Sequence, residues 1–537
     1  MRKLFLLFIL NVSILGTEAF GQYVDRAFDF SKTTQGGSAR ISAMGGAQTA
    51  IGGDISAAVS NPAGLGFFRR SEATISLGLG FGNISTDYLG NGTDKRRTTF
   101  NVPQLGVVIN NTLDDLVDSD WRGGSFAISF SRVNDFNSTI NYSGLNTVTD
   151  INDFFIQNNG FYTDLARGAF VLDRYDFKPK AGQTNIPVYQ DINRLYPGDV
   201  PNDQYPTRQE ETIETSGSTY KWNFSYGGNY KDILFAGIGV GLNFLDYERT
   251  STFNEQYQDQ ALQNQTLSEN YTNNGVGIDA TLGIIAKPTP ELNLGLSFTS
   301  PSVYWLNEES DARLDASYRE GTKYTYGQFV DEDQYVEAFR YVASGETPGE
   351  TITLGNEFSE SPIYESKWTL YTPLKVSLGA AYFFKKRGFI TADIDWVNYA
   401  QTRVESNDFE TDGINDQIDD TYQTAVNYRI GGEYRLNIFR FRAGYAHQGN
   451  PIKKEASDFD YSRSQVTFGA GVRDKTWYVD LAIISDKYKT LHSPYSIQNE
   501  TITFPGVGSR DIYTTDTPFA FSDHSDLNFK VTAGFFF

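Results

Sequence analysis

From about residue 71 onward, apolar and polar residues alternate in short runs, the period of two that marks strands with one apolar face. Residues 233–244 read ILFAGIGVGLNF. Leu234, Ala236, Ile238, Val240, Leu242 and Phe244 share one face, and Phe235, Gly237, Gly239, Gly241 and Asn243 the other. Residues 275–286 set Val276, Ile278, Ala280, Leu282 and Ile284 against Asp279, Thr281 and Gly283. Residues 292–299 set Leu292, Leu294, Leu296 and Phe298 against Asn293, Gly295, Ser297 and Thr299. A soluble sandwich also alternates, so one run decides little. The whole series decides more. Strands are predicted near 71–81, 99–109, 122–132, 219–228, 233–244, 275–286, 292–302, 370–384, 389–399, 424–436, 438–446, 465–473, 476–485 and 528–537. That is about fourteen, an even number, as in single-chain outer-membrane barrels.

The connections alternate in length. NYKD at 229–232, PTPE at 288–291, KKRG at 385–388 and Asp474-Lys475 make tight turns. Long polar loops are expected near 133–218, 245–274, 303–369, 400–423, 447–464 and 486–527. Short turns on one side and long loops on the other fit a barrel with periplasmic turns and extracellular loops. The end agrees: NFKVTAGFFF places Phe529, Val531, Ala533, Phe535 and Phe537 on one face. A last strand closing on Phe resembles an outer-membrane insertion signal.

Composition sharpens this. The 537 residues hold 33 Tyr, 40 Phe and 50 Gly but no Cys, which excludes disulfides, thiolate zinc and a Cys nucleophile. The start, MRKLFLLFILNVSILGTEAFGQ, has the basic, apolar and small-residue parts of a secretory signal, with a cut expected after Gly21. Beyond it no run approaches the roughly 18 apolar residues of a spanning helix. Mean hydropathy of −0.41 looks soluble, yet 15% aromatic residues in an exported chain suit a barrel wall with aromatic girdles. The net charge of −21 argues against nucleic acid as a partner and is ascribed to acidic loops.

Residues 22–70 precede the barrel and carry few apolar residues in a regular period, so they are expected to fold into the lumen rather than stand as a domain. Their stretch 36–68, GGSARISAMGGAQTAIGGDISAAVSNPAGLGFF, resembles the N-terminal hatch of the FadL/TodX family of outer-membrane transport proteins for hydrophobic compounds. The matching residues are Gly53-Asp54 and Asn61-Pro62-Ala63, followed by Gly64. The resemblance implies an all-β fold: a transmembrane antiparallel barrel (71–537) of about fourteen strands with a hatch (22–70) in the lumen. It implies that Asn-Pro-Ala lies beside an inward kink in the third strand, which opens the wall so that an apolar ligand leaves sideways. Pro62 removes an N–H and Asn61 can shape a local turn. Gly123-Gly124 in the third strand could accept a bend.

Little points to catalysis. GIGVG at 237–241 lacks nucleotide-loop spacing, and NDQIDD at 415–420 lacks EF-hand spacing. Three histidines, His447, His492 and His524, fall in expected loops; His524 lies among Ser522, Asp523, Ser525 and Asp526. No enzyme activity, metal or cofactor is expected. Lumen cations such as Arg429 and Arg435 are candidates to meet a ligand carboxylate. Phe154, Phe155, Phe161, Tyr162 and Phe170 in a long loop are candidates for a landing groove, or for a small core that folds the loop.

The reading is a monomeric outer-membrane channel of a Gram-negative bacterium. It takes up hydrophobic or amphiphilic compounds, such as long-chain fatty acids or aromatic hydrocarbons, by diffusion among outer-membrane lipids, with hatch rearrangement and lateral exit. Two rivals stand: a shuttle or docking component of a secretion system with a secreted protein as partner, and an outer-membrane enzyme. A general porin is weaker, because a hatch obstructs a water-filled pore.

Overall fold

Side-chain alternation organises the wall. On β5 (Leu234–Gln256) Leu234, Ile238, Val240, Leu242 and Phe244 are all exposed, while Phe235, Gly239, Gly241 and Asn243 are buried inside. The computed structural model describes residues 17–32, 37–113, 119–158, 160–179, 186–191, 207–258, 260–326, 329–333, 336–340, 347–504, 508–512 and 516–537. The first sixteen residues of the expected signal lie outside them.

Fourteen antiparallel staves close into one barrel. They are β1 (Glu72–Tyr88), β2 (Asn91–Thr112), β3 (Trp121–Asp135, resuming at Ser138–Asn146), β4 (Thr207–Tyr230), β5, β6 (Leu262–Thr289) and β7 (Leu292–Thr299, resuming at Val303–Tyr318). Next come β8 (Asn356–Glu360, Tyr364–Tyr371 and Lys375–Phe383), β9 (Gly388–Asn398 and Arg403–Ser406), β10 (Thr424–Leu436) and β11 (Phe439–Gln448). The last are β12 (Arg463–Arg473), β13 (Trp477–His492) and β14 (Ala520–Phe536). Closure is by β14 on β1, in register from Glu72↔Phe536 to Tyr88↔Ala520. Apart from one stretch between β2 and β3, no sheet edge is left for lipid to face, which is the condition for strands to cross a membrane.

The outward residues make an apolar band. Trp305, Trp396 and Phe244 mark its loop-side rim, and Tyr230, Tyr382, Tyr434, Trp477 and Phe535 its turn-side rim, all exposed. This is the aromatic girdle of a lipid-facing barrel. Beyond Phe244 and Val276 the outward positions turn polar (Asp246, Glu248, Asn274), yet the strands continue. β6 runs for 28 residues, where roughly 9–11 suffice to span.

Several expected loops are therefore strands. Residues 245–274 form the far ends of β5 and β6 joined by a short turn, and parts of 133–218, 303–369 and 486–527 extend β3, β4, β7, β8, β13 and β14. Likewise β1 and β2 join through a tight turn at Leu89-Gly90, both at positive φ (52° and 78°). Above the bilayer the outward face of a strand meets water and the inward face mixes polar with apolar residues, so the alternation weakens while the ladder persists. The extensions enclose a core of their own, in which Phe155, Leu165, Val171, Phe253, Leu262, Leu267 and Leu314 are buried.

Inside the barrel lie helix α1 (Thr17–Ser31), and a coiled segment from Gly37 to Phe68 with the short helices α2 (Ala39–Ser42) and α3 (Ala57–Ser60) and a 3-10 turn (Pro62–Phe67). α1 passes through the cut expected after Gly21.

Candidate functional site

The inner segment is built to fit the wall. Asn61 is fully buried; its side-chain oxygen accepts from the N–H of Ala63 (3.2 Å) and starts the 3-10 turn. Its amide donates to the carbonyl of Thr49 (2.7 Å), tying two turns of the segment together. Gly53 sits at φ +70°, next to Asp54, whose carboxylate accepts from the Ser38 hydroxyl (2.9 Å) and the N–H of Ser56 (3.0 Å). The N–H of Gly53 donates to Gly64 (3.1 Å). The Gly-Asp and Asn-Pro-Ala pieces thus meet in one knot.

Glycines of the wall receive the knot. A methyl group at Gly237 or Gly227 would overlap Pro62, at Gly283 it would overlap Asn61, and at Gly295 it would overlap Thr49. At Gly431 or Gly444 it would overlap Met44. Backbone against backbone leaves little room for water. Polar wall residues then satisfy the segment's free backbone groups. Asp393 accepts from the N–H groups of Gln48 (2.7 Å) and Thr49 (2.9 Å); Ser225 donates to Ala58 (2.7 Å) and Ser297 to Ser60 (2.6 Å). The Asn-Pro-Ala stretch packs against β4, β5 and β6.

Most charges of this layer are paired. Arg429 donates to Asp395 (2.7 and 2.8 Å) and stands 3.4 Å from Asp393. Glu433 takes Arg435 (2.7 Å), Arg442 (2.8 Å) and Arg40 (3.4 Å), and Arg442 continues to Asp480 (2.6 Å). Lys221 meets Asp279 at 2.6 Å. Buried charges persist only with such partners.

Above this plug α1 crosses the lumen. Arg26 pairs with Glu308 on β7 (2.7 Å) and lies over the rings of Tyr23 and Tyr271 (4.6 and 5.1 Å). Phe30 packs on Phe136 of β3 and Tyr247 of β5 (5.5 and 5.2 Å). α6 (Asp412–Thr421), counted after the loop helices α4 (Ile151–Asn158) and α5 (Phe161–Gly168), covers α1 with Ile414 and Ile418 fully buried. The carboxylate run at 415–420 belongs to this helix. Between plug and α1 lies a cavity of about 1170 Å³.

The wall beside that cavity is incomplete. β2 pairs with β1 along its length, with a bulge near Pro103, but with β3 only from Gln104↔Ser131 to Thr112↔Gly123. Beyond Ser131 the strand bends inward: Arg132, Val133 and Asn134 are buried in succession, and the register with β4 shifts between Arg132 and Asn134. Asn134 donates to the carbonyl of Asp29 at the end of α1 (2.9 Å). Pairing to β4 resumes at Ser138, and side chains bridge the top, Asn91 to Ser143 (2.7 Å) and Thr93 to Asn141 (2.5 Å). Between lies a window with no ladder, from Asp94–Pro103 on β2 to Arg132–Ile140 on β3. Gly123 takes φ +89° in a second irregularity, at the turn-side end of β3, and Gly124 pairs with Gly228.

The loop aromatics are spread out. Phe155 is fully buried and Phe154 nearly so, in the core above the membrane. Tyr162 donates to Glu269 (2.5 Å), Phe161 is exposed beside Tyr364, and Phe170 stands edge-on to Tyr324 (5.0 Å) at φ +61°. Phe154 and Tyr162 reach the cavity, as does Arg429, whereas Arg435 lies at the turn end. The three histidines line the cavity from β11, β13 and β14, bonded to Ser464 (3.0 Å), Glu211 (3.0 Å) and Thr490 (2.9 Å) respectively. Among the described residues no cluster of three His, Asp or Glu could hold a metal. Sequence reasoning missed α1 and the place of the inward bend, at Arg132–Asn134 of β3 rather than at Gly123-Gly124; for the window, expected from the resemblance alone, the bulge-forming Val102-Pro103 was the one local signal.

A closed barrel with an apolar band, an internal plug and a side window is a transmembrane channel scaffold. Its fold is the FadL type. A FadL homologue of Pseudomonas aeruginosa superposes with a TM-score of 0.52 at 12% identity, over 94% of this chain and 98% of that one. The Pseudomonas putida toluene transporter TodX gives a TM-score of 0.47 at 15% identity, over 94% and 99%. The Ralstonia pickettii toluene transporter TbuX gives 0.46 at 13%, over 94% and 99%. No family model and no curated protein sequence matches the chain.

Proposed function

We propose that this protein is an outer-membrane channel of a Gram-negative bacterium that takes up hydrophobic or amphiphilic compounds by diffusion, with exit through the side of the barrel. The observation that carries the reading is the pairing of a lumen sealed below with a wall open beside the cavity. A solute entering from the loop side meets the knot at Asn61 and has its free route through the β2–β3 window. Such an exit serves a molecule that prefers lipid to water, since the route ends in the bilayer. The FadL-type fold supports the same reading. Long-chain fatty acids and aromatic hydrocarbons are the compounds first to be tried. Residues 1–21 are proposed as a cleaved signal, and the chain is proposed to act as a monomer.

The test fills the window. Thr99→Trp with Ser138→Trp should cut uptake of labelled oleate or toluene into proteoliposomes about tenfold, while the barrel keeps its heat-resistant mobility on a gel. Unchanged uptake in the filled variant would reject lateral exit. The secretion-platform alternative draws on one feature, the extracellular extension with its own core; a stable polypeptide partner and no uptake would favour it.

A further inference from the structure

Where the window meets the cavity, three strands present a patch of buried charged and polar groups. Arg97 of β2 and Asp526 of β14 face each other across Gly82 of β1, where a side chain would overlap both. Their ion pair is long, 3.3 Å through one guanidinium nitrogen and Oδ2. Asp526 Oδ1 has no hydrogen-bond partner among the described residues, although Asp526 is only 7% exposed. Beside it His524, 5% exposed, bonds Thr490 through Nε2 and leaves Nδ1 without a partner. Both residues line the cavity. Buried polar atoms are rarely left unpaired in a finished site, so these two mark positions for an occupant.

The chemistry of the occupant follows from the charges around it. Arg97 is offset by Asp526, and Arg463 by Asp486, to which it donates at 2.9 Å. A carboxylate placed here would face two aspartates, and an ammonium would face two arginines. A hydroxyl both donates and accepts, and meets a carboxylate oxygen, an imidazole nitrogen and a guanidinium without a charge conflict. The ring of His524 is stacked on Tyr488 (4.3 Å), which fixes its plane and adds an apolar face. Arg97 belongs to the stretch of β2 that lacks a partner on β3, so a group held here has lipid within a few residues.

We propose that Arg97, Asp526 and His524 form a headgroup subsite for a hydroxyl-rich amphiphile, an alkyl glycoside or glycolipid, whose apolar tail leaves through the β2–β3 window. This deepens the channel reading above and rests on it. It names the transported class as polyhydroxylated amphiphiles rather than bare hydrocarbons or simple fatty acids.

The probe is labelled hexyl β-D-glucoside, with methyl β-D-glucoside and hexanoate as comparisons, on the full protein in phosphatidylcholine nanodiscs. Saturable binding of the hexyl glycoside is expected, with hexanoate weaker by about tenfold, the worth of a hydrogen bond to a charged group, and methyl glucoside weaker by at least as much because it has no tail to bury. Asp526→Asn should weaken glycoside binding and spare hexanoate. Gly82→Ala should do the same by occupying the gap, and both variants should keep heat-resistant mobility. Equal binding of hexanoate and hexyl glycoside, or glycoside binding indifferent to both variants, overturns the subsite and leaves the channel intact. Binding of methyl glucoside as tight as the hexyl form overturns the amphiphile and points to a free sugar. Failure of oleate, toluene and glycoside alike to cross in proteoliposomes overturns the channel itself.

Discussion

At the residue scale, the contact between plug and wall depends on absent side chains. Gly237, Gly283 and Gly295 face Pro62, Asn61 and Thr49 so closely that any Cβ must displace the plug. Gly283→Val is expected to leave the barrel folded, because a β-branched residue suits a strand, while lifting Asn61 off the wall. The measurement is protease cleavage within 37–68: the variant should be cut where the native protein resists. Asn61→Ala acts from the other side. It leaves the buried carbonyl of Thr49 and the N–H of Ala63 without their partners, at a cost of roughly 1–3 kcal/mol each. Enhanced hydrogen exchange at Thr49–Leu65, with the strands unchanged, is the expected result.

At the scale of elements, α1 is a crossbar anchored at two points one helical turn apart, by Arg26–Glu308 on β7 and by Phe30 on β3 and β5. Arg26→Ala strands Glu308, only 4% exposed, without its cation, and breaking such a pair costs about 3–5 kcal/mol. Since the plug below has its own hydrogen bonds, the loss should appear as exchange in residues 23–31 and leave 37–68 protected. Uniform loosening of both would contradict separate anchoring. Elements also show what the sequence could reveal. β10 was legible to the residue, at 424–436, because lipid on one side and lumen on the other impose alternation throughout its length. The far half of β6 was not, since from Gln263 to Asn274 the outward face meets water and the inward face is mostly polar, with Gln265, Glu269 and Asn273 beside Leu267. α1 was hidden by its length and by the polar side it turns to the cavity, with Asp25 and Asp29 among its residues and Lys32 just after it. The Gly-Asp and Asn-Pro-Ala pieces were legible as a motif, yet their meeting in one knot depends on a turn closed by Gly53 and Gly64. The window was expected only through the family resemblance, not from the residue pattern, since a strand does not encode who fails to pair with it; the bend falls at Arg132–Asn134 rather than at Gly123-Gly124. Arg97 lies far in the chain from His524 and Asp526 and becomes their neighbour only through barrel closure.

At the scale of the whole molecule, two obstacles stand in series, and they differ in kind. α1 leaves a cavity beneath it, whereas the plug meets glycines of nine staves and fills its layer. Resistance to water and ions should therefore reside in 37–68 and not in α1. Deleting residues 23–32 should leave the barrel silent in a planar bilayer, whereas deleting 37–66 should open a steady aqueous conductance, since fourteen staves around an emptied lumen enclose water. The paired lumen charges sharpen the expectation. With the plug gone, Asp393 loses the two N–H groups it accepts, and Arg40 no longer offsets Glu433, so the exposed wall gains acidic character. The opened pore should favour cations over anions, and Asp393→Asn with Glu433→Gln in the same deletion should reduce that preference. A deletion of 37–66 that stays non-conducting would place the seal in α1 or the loops and would reverse the assignment of the two layers.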